Sequence, residues 1–302
     1  MTKILISDKL SQNAVDQLKE IPGFAVTVKT GMTPDELKAE IVHYEGVVIR
    51  SATKLKADIL EAGKNLKVAV RAGIGLDNID VKKAEELGIK VFNTPSATSI
   101  TVAEYTIGLM FAAARFIPQA YKSVKEHKWE KKLFEGTELY GKTAGVIGFG
   151  RIGREVARRE LALGMDVVYF DIVDVKSDLA AKQVTLDELL KKADYISMHL
   201  PKTEKTTNMI STREFGLMKP NAVLINVARG GTVDEAALLE ALNGGKIRTA
   251  VLDVFSVEPP VQFDLIDHPN VIPLPHLGAS AHEGQERAGL EVIKVLKEFY
   301  GK

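Results

Sequence analysis

The sequence predicts an α/β protein built from two doubly wound parallel-sheet domains, one inserted into the other, and three observations carry that expectation. Short apolar runs alternate with amphipathic stretches along the whole chain, a glycine-rich loop signature sits in the middle rather than at the start, and 302 residues suit two domains of about 100 to 200 residues each. With 45% hydrophobic residues there is material to fill both cores.

Apolar runs at 4–6, 24–28, 46–49, 66–70 and 90–92 read as strands, with helical stretches near 11–19, 33–42, 57–63 and 81–87 between them. Such repetition implies parallel strands joined by crossover helices. A helical pattern then runs from about 100 to 127 through Val102, Ala103, Ile107, Met110, Phe111 and Ala114, with a kink or break expected at Pro118, which lacks a backbone donor. It is too long for the surface of a small domain. We expect it to share its apolar surface with a second copy of the chain, in a homodimer. Beyond residue 153, strands near 166–170, 194–198, 222–227, 248–252 and 271–272 alternate with helices. The last helix, about 282–300, spaces Val292, Val295, Leu296 and Phe299 at i, i+3, i+4 and i+7, widened by Ile293, and is expected to return to the first domain.

The glycine loop is Val146-Ile147-Gly148-Phe149-Gly150-Arg151-Ile152-Gly153. A lone G-x-G-x-x-G is a weak signal, but here an apolar run (144–147) precedes it, a helical pattern (Ile152, Val156, Ala157) follows it, and Asp171 ends the next apolar run, 167–170. Gly148 allows a tight turn, Gly150 lets backbone approach a pyrophosphate, and Gly153 lets the new helix lie close while the amides around Arg151 and Ile152 face the phosphates. Asp171 is expected to accept from the adenosine ribose hydroxyls. Its charge repels a 2′-phosphate and no arginine lies between Ile172 and Gln183, so NAD is expected rather than NADP. The expected boundaries are 1–97 with 282–302 for a substrate domain, and 98–281 for a dinucleotide-binding domain that includes the dimerisation helix near 100–127.

Composition sets limits. Lys+Arg and Asp+Glu balance at 40 each, so no nucleic acid or membrane partner is expected. The absence of cysteine excludes disulfides and thiolate catalysis, and no His or acidic cluster has metal-ligand spacing, so no metal is expected. The apolar start at 3–7 is too short for a signal peptide and no run of about 18 apolar residues follows, which points to a cytoplasmic protein.

Three polar residues then stand in contexts that do not otherwise need them. Arg229 follows the run 223–225, Glu258 lies in Asp253-Val254-Phe255-Ser256-Val257-Glu258-Pro259-Pro260, and His276 is held between Pro275 and Leu277. Strand ends in open α/β sheets face the ligand crevice. An anion binder, an acid and a base are what removal of hydride from a secondary alcohol requires: a base takes the hydroxyl proton, and a carboxylate raises its basicity and fixes its orientation. His199, at another strand end, is expected to pack near the cofactor. Gly73 and Gly75 offer backbone amides beside Arg71, a cradle for a carboxylate, and Asn78 stands where a third glycine would complete a nucleotide loop.

With Ile49-Arg50-Ser51-Ala52-Thr53, Arg71-Ala72-Gly73-Ile74-Gly75-Leu76-Asp77-Asn78, Lys128-Trp129-Glu130, Gly141-Lys142-Thr143, His199-Leu200-Pro201 and Pro275-His276 added to these segments, the chain resembles the D-isomer-specific 2-hydroxyacid dehydrogenases over nearly all its length. The resemblance implies a Rossmann NAD domain inserted into a flavodoxin-like substrate domain. It implies His276 as acid/base, Glu258 as its partner and Arg229 as the anchor of the substrate carboxylate and carbonyl. Asp253 would contact the nicotinamide carboxamide, with His199, Leu200, Pro201, Thr206 and Ala228 helping to hold the cofactor. The phosphoglycerate-oxidising branch looks nearest. That likeness implies a phosphate site of Arg50, Ser51, Arg71, Ala72 and Gly73, aided by Lys131 or Lys132 across a dimer, where relatives often carry arginine. Glu258 itself speaks against the formate-oxidising branch, which carries glutamine there. The expected reaction is oxidation of 3-phospho-D-glycerate to 3-phosphooxypyruvate, on the route to L-serine. The other readings are a hydroxypyruvate or glyoxylate reductase, a D-lactate-type dehydrogenase, and an NAD-sensing scaffold like the corepressors that share this fold. The last residues directly follow the closing helix, so the serine-binding regulatory domain of many relatives is not expected here.

Overall fold

The alternation seen in the sequence is realised in a computed structural model that describes residues 1–261 and 263–302. In chain order the first elements are β1 (Thr2–Ile6), α1 (Gln12–Glu20), β2 (Phe24–Val28), α2 (Pro34–Glu40), β3 (Gly46–Ile49), α3 (Ala57–Ala62), β4 (Val68–Arg71), α4 (Val81–Glu86), β5 (Lys90–Asn93) and α5 (Ser99–Ala114). There follow α6 (Ile117–Lys125), β6 (Thr143–Ile147), α7 (Arg151–Ala162), β7 (Asp166–Phe170), β8 (Ala181–Gln183), α8 (Leu186–Lys192), β9 (Tyr195–Met198), α9 (Thr212–Phe215) and β10 (Val223–Asn226). The chain closes with α10 (Glu235–Asn243), β11 (Thr249–Leu252), α11 (Phe263–Ile266), β12 (Val271–Pro273) and α12 (His282–Tyr300). Two compact units result, Met1–Thr101 with Ala279–Lys302, and Val102–Gly278.

Each unit holds one all-parallel sheet, in the order β2-β1-β3-β4-β5 in the first and β12-β11-β10-β9-β6-β7-β8 in the second. Both are doubly wound. The second reverses direction between β6 and β9, and such a switch point opens a crevice at the carboxyl ends of the strands. The central strands are buried along their whole length, as expected when helices cover both faces. In the first unit α12 packs its Ala288, Val292, Ile293 and Leu296 with Leu18 and Val15 of α1 on one face, and α2 to α4 cover the other. In the second unit Met110 of α5 and Ala157 of α7 share one core with Val146 and Tyr195, and α8 to α10 build the other.

One sequence expectation needs correction, and one strand lay outside the expectations. The helical pattern 100–127 is two helices, and the break lies at Phe116, in a left-handed conformation at φ 53°, not at Pro118. Pro118 instead sits in the first turn of α6, where a missing amide costs no hydrogen bond, and α5 and α6 meet at 62°. The strand β8 was not foreseen, because three half-exposed residues carry no apolar run. Among the described residues no single helix is long and apolar enough to cross a membrane.

Candidate active site

The nucleotide loop has the geometry its glycines suggested. Gly148 turns at φ +91°, and a side chain there would meet the His199 carbonyl at 2.9 Å. A Cβ on Gly153 would fall 2.1 Å from the Gly148 oxygen, so no other residue lets α7 lie this close to its strand. At Gly150 a Cβ would meet nothing within 4 Å, leaving an open face to the turn. No side chain caps α7, so the amides of its first turn, from Arg151, Ile152 and Gly153, stay available to an anion. Asp171, just past β7, ties the loop down by accepting from the Phe149 amide at 2.8 Å and, with its other oxygen, from the Val173 amide at 3.3 Å.

His199, Leu200 and Pro201 leave β9 directly against Gly148. The His199 Nε2 pairs with the Ser197 hydroxyl at 2.9 Å, while Nδ1 is buried without a partner. Burial pushes its pKa down to about 3, so the ring is neutral. Thr206 closes the next turn, donating to the Pro201 carbonyl at 2.8 Å and accepting from the Thr203 amide at 2.7 Å. An open turn, uncapped helix amides and an orphaned ring nitrogen at one switch point fit a dinucleotide.

The strands β10, β11 and β12 are neighbours, and their following loops bring Arg229, Glu258 and His276 to one end of the sheet. The His276 Nδ1 lies 2.8 Å from Glu258 Oε2, and Glu258 Oε1 accepts from the Phe255 amide at 3.1 Å. Burial alone would raise the Glu258 carboxyl, but the bonds from His276 and Phe255 outweigh it and leave it below the usual carboxylate range. The same bond raises the His276 imidazole above its ordinary value, against burial. Arg229 is near enough for its charge to lower both groups. Its own loop is built by Asn226, whose side chain donates to the Arg229 carbonyl and accepts from the Ala228 amide at 3.1 Å each. A cavity of about 490 Å³ beside the pair is walled by Phe255, Pro259, Pro260, Pro273 and Leu274. Asp253 is turned inward and fully buried, its carboxylate taken up by Tyr105 and by the Leu277 and Gly278 amides.

In the first unit Arg50 and Arg71 end adjacent strands, with Ile49 in register with Arg71. Arg50 donates to the Lys9 carbonyl at 3.0 Å and to Gln285 Oε1 at 3.3 Å, and its partial burial lowers its pKa against the opposing charge of Asp8. Arg71 donates to the carbonyls of Gly75 and Arg50. Asn78 donates to the carbonyls of Arg50 and Thr53, at 2.7 and 2.6 Å, and Asp8 accepts from the Arg50 and Thr53 amides. Ser51 is exposed in this loop, Ala72 is buried behind it, and Gly73 takes an extended turn beside the Arg71 guanidinium. Sequence reasoning missed Asp8 and Gln285, which hold this basic cluster, and Asn226 and Tyr105 in the second unit; it noted Asn78 only as the residue in place of a third glycine, not as a donor to the Arg50 loop. Lys131 and Lys132 stand exposed on a short 3-10 turn of the second unit.

Comparison with known proteins gives this geometry a setting. Residues 107–278 match the family described as D-isomer specific 2-hydroxyacid dehydrogenase, NAD binding domain. The chain is 48% identical to a hydroxypyruvate reductase of Thermotoga maritima over 301 residues, covering 98% of each. It is also 48% identical over 302 residues to a D-3-phosphoglycerate dehydrogenase of Methanocaldococcus jannaschii, covering 99% of this chain but spanning only 57% of that relative. Among solved structures, the TT0316 protein of Thermus thermophilus superposes with a TM-score of 0.90 at 33% identity, covering 100% of this chain and 98% of that one.

Proposed function

The chain belongs to the D-isomer-specific 2-hydroxyacid dehydrogenases, NAD-dependent oxidoreductases, and from that premise we propose that it oxidises 3-phospho-D-glycerate to 3-phosphooxypyruvate. The glycine loop, the first-turn amides of α7, Asp171 and the unpaired His199 nitrogen would hold the cofactor. NAD, when bound, supplies the hydride acceptor. His276 takes the hydroxyl proton, and it does so at Nε2 because Nδ1 is committed to Glu258. The Glu258 carboxylate stabilises the imidazolium that forms, and the Arg229 guanidinium holds the substrate carboxylate and draws charge from the new carbonyl.

One observation carries the choice of a phosphorylated acid: Arg50 and Arg71 stand side by side at the ends of paired strands, two charges where a lone carboxylate needs one. Charge-assisted hydrogen bonds are worth about 1.5 to 3 kcal/mol each. Arg50→Ala is therefore expected to raise KM for phosphoglycerate roughly ten- to a hundredfold and barely to affect glycerate. Equal losses on both acids would reject the phosphate role and favour a hydroxypyruvate reductase, the reading supported by the Thermotoga relative of matching length.

A homodimer completes the proposal. Ile117, Tyr121 and Val124 line α6 at i, i+4 and i+7 with more than half of each side chain exposed, and Trp129 and Leu133 lie bare just beyond. A stripe of this kind marks a contact surface. The expected result is a dimer by sedimentation at assay concentration, with Tyr121→Glu driving it to monomer; a wild-type monomer with full activity would reject it.

A further inference from the structure

We propose that Tyr105 is a positioning residue for the reaction described above: its hydroxyl holds Asp253, and Asp253 holds the backbone on which His276 stands. The inference rests on that reading of His276 and adds a residue to it. His276 is a non-glycine residue in the left-handed region, at φ +56°. L-residues seldom adopt that conformation unless their surroundings enforce it. The two amides that follow, Leu277 and Gly278, both donate to Asp253, at 2.8 Å to Oδ1 and 2.8 Å to Oδ2. Successive amides around a left-handed residue form a concavity that suits an anion, and the Asp253 carboxylate fills this one. The backbone of Asp253 is anchored in turn, its amide donating to the Asn226 carbonyl at 3.0 Å.

Tyr105 provides the third donor to this carboxylate, after the two backbone amides, and it is a side chain: its hydroxyl lies 3.1 Å from Asp253 Oδ1. Nothing in the packing of α5 demands that hydroxyl, because the neighbours on its face, Val102 and Leu109, are apolar and a phenylalanine ring would fill the same space. Asp253 is fully buried, and burial raises its pKa against the hydrogen bonds from Leu277, Gly278 and Tyr105. Removing one of those donors shifts the carboxyl further toward its protonated form, which grips two amides less well. His276 is then freer to leave the left-handed region, and its bond to Glu258 lengthens.

The test compares Tyr105→Phe with Thr106→Val, which deletes the next hydroxyl on the same helix, one bonded only to the Val102 carbonyl. The readouts are the His276 imidazole titration by NMR, assigned by its loss in His276→Ala, and the separate values of kcat and KM. The charged groups that act on His276 are Glu258 and Asp253, which raise its pKa, and Arg229, which lowers it; neither substitution removes any of them, and only Tyr105→Phe, by taking a donor from Asp253, moves that carboxyl toward its neutral form. In Tyr105→Phe the imidazole should titrate lower by about half a pH unit or more, with kcat down about tenfold and KM for NAD within about twofold. Thr106→Val should leave the titration in place. An unmoved titration in Tyr105→Phe overturns the proposal, whatever happens to activity, and so does a loss confined to KM for NAD. The titration reads the hold on His276 directly, so it stays decisive even if another residue proves to be the base.

Discussion

Replacing His276 with alanine is expected to lower turnover on the D-2-hydroxy acid by about 10²- to 10⁴-fold, the usual contribution of a positioned general base, while the binding of NADH, followed by fluorescence, stays within a few-fold. The side chain is about half exposed, so its removal leaves no cavity in the core and the fold should survive. Its ring nitrogen Nδ1 is spent on Glu258, an acceptor that favours the proton on Nδ1 and leaves Nε2 as the basic nitrogen. The pair also sets the pH dependence. Oxidation needs the neutral imidazole, and the hydrogen bond to Glu258 raises the imidazole above the ordinary 6.5, so oxidation should rise with pH through a value above 6.5 and the reverse reduction should be favoured below it. In the alanine variant that limb should vanish. A variant that keeps most of its turnover, or keeps the limb, would remove His276 from the role of base.

What was legible in the sequence was whatever is encoded locally. The β-α alternation is a matter of period and run length, and both sheets followed from it except for the short edge strand β8. The glycine loop is a contiguous motif whose strand and helix lie on either side, so Gly148 and Gly153 could be assigned their contacts before any coordinate was known. Arg229, Glu258 and His276 stood out because each follows an apolar strand run. Other features depend on partners far along the chain. Tyr105 meets Asp253 across 148 residues and Arg50 meets Gln285 across 235, and nothing near Tyr105 or Gln285 announces the pairing. The break at Phe116 was misplaced because proline is the obvious helix breaker, yet the backbone had already turned when Pro118 was reached. Glu160 was missed for a different reason. It reads as one more charge in Arg158-Arg159-Glu160, although its spacing of i+4 from Val156 and i+3 from Ala157 puts it on the buried stripe of α7.

That glutamate supports the second large expected effect, a stability gain on substituting Glu160 with methionine. The carboxyl is fully buried among the described residues, and neither oxygen has a hydrogen-bond partner. Burial raises its pKa from 4.5 to about 8. In the unfolded chain it ionises near its ordinary value, so between about pH 4.5 and 8 the folded state holds a proton that the unfolded state has lost. Stability associated with this group is therefore fully present below pH 4.5, declines as pH rises, and is gone above about pH 8. At about 1.4 kcal/mol per pKa unit the loss amounts to roughly 2 to 5 kcal/mol, to which the unbonded neutral carboxyl adds its own desolvation cost. Methionine has similar length, a good helix propensity and a side chain that adapts to irregular space. Glu160→Met should raise the melting temperature of the second unit by roughly 5 to 10 °C at pH 8, and by clearly less at pH 5, where the wild-type carboxyl costs little in charge. Calorimetry at the two pH values decides the matter. A gain of equal size at both would mean that ionisation plays no part, and a loss at both would mean that Glu160 has a partner that methionine cannot replace.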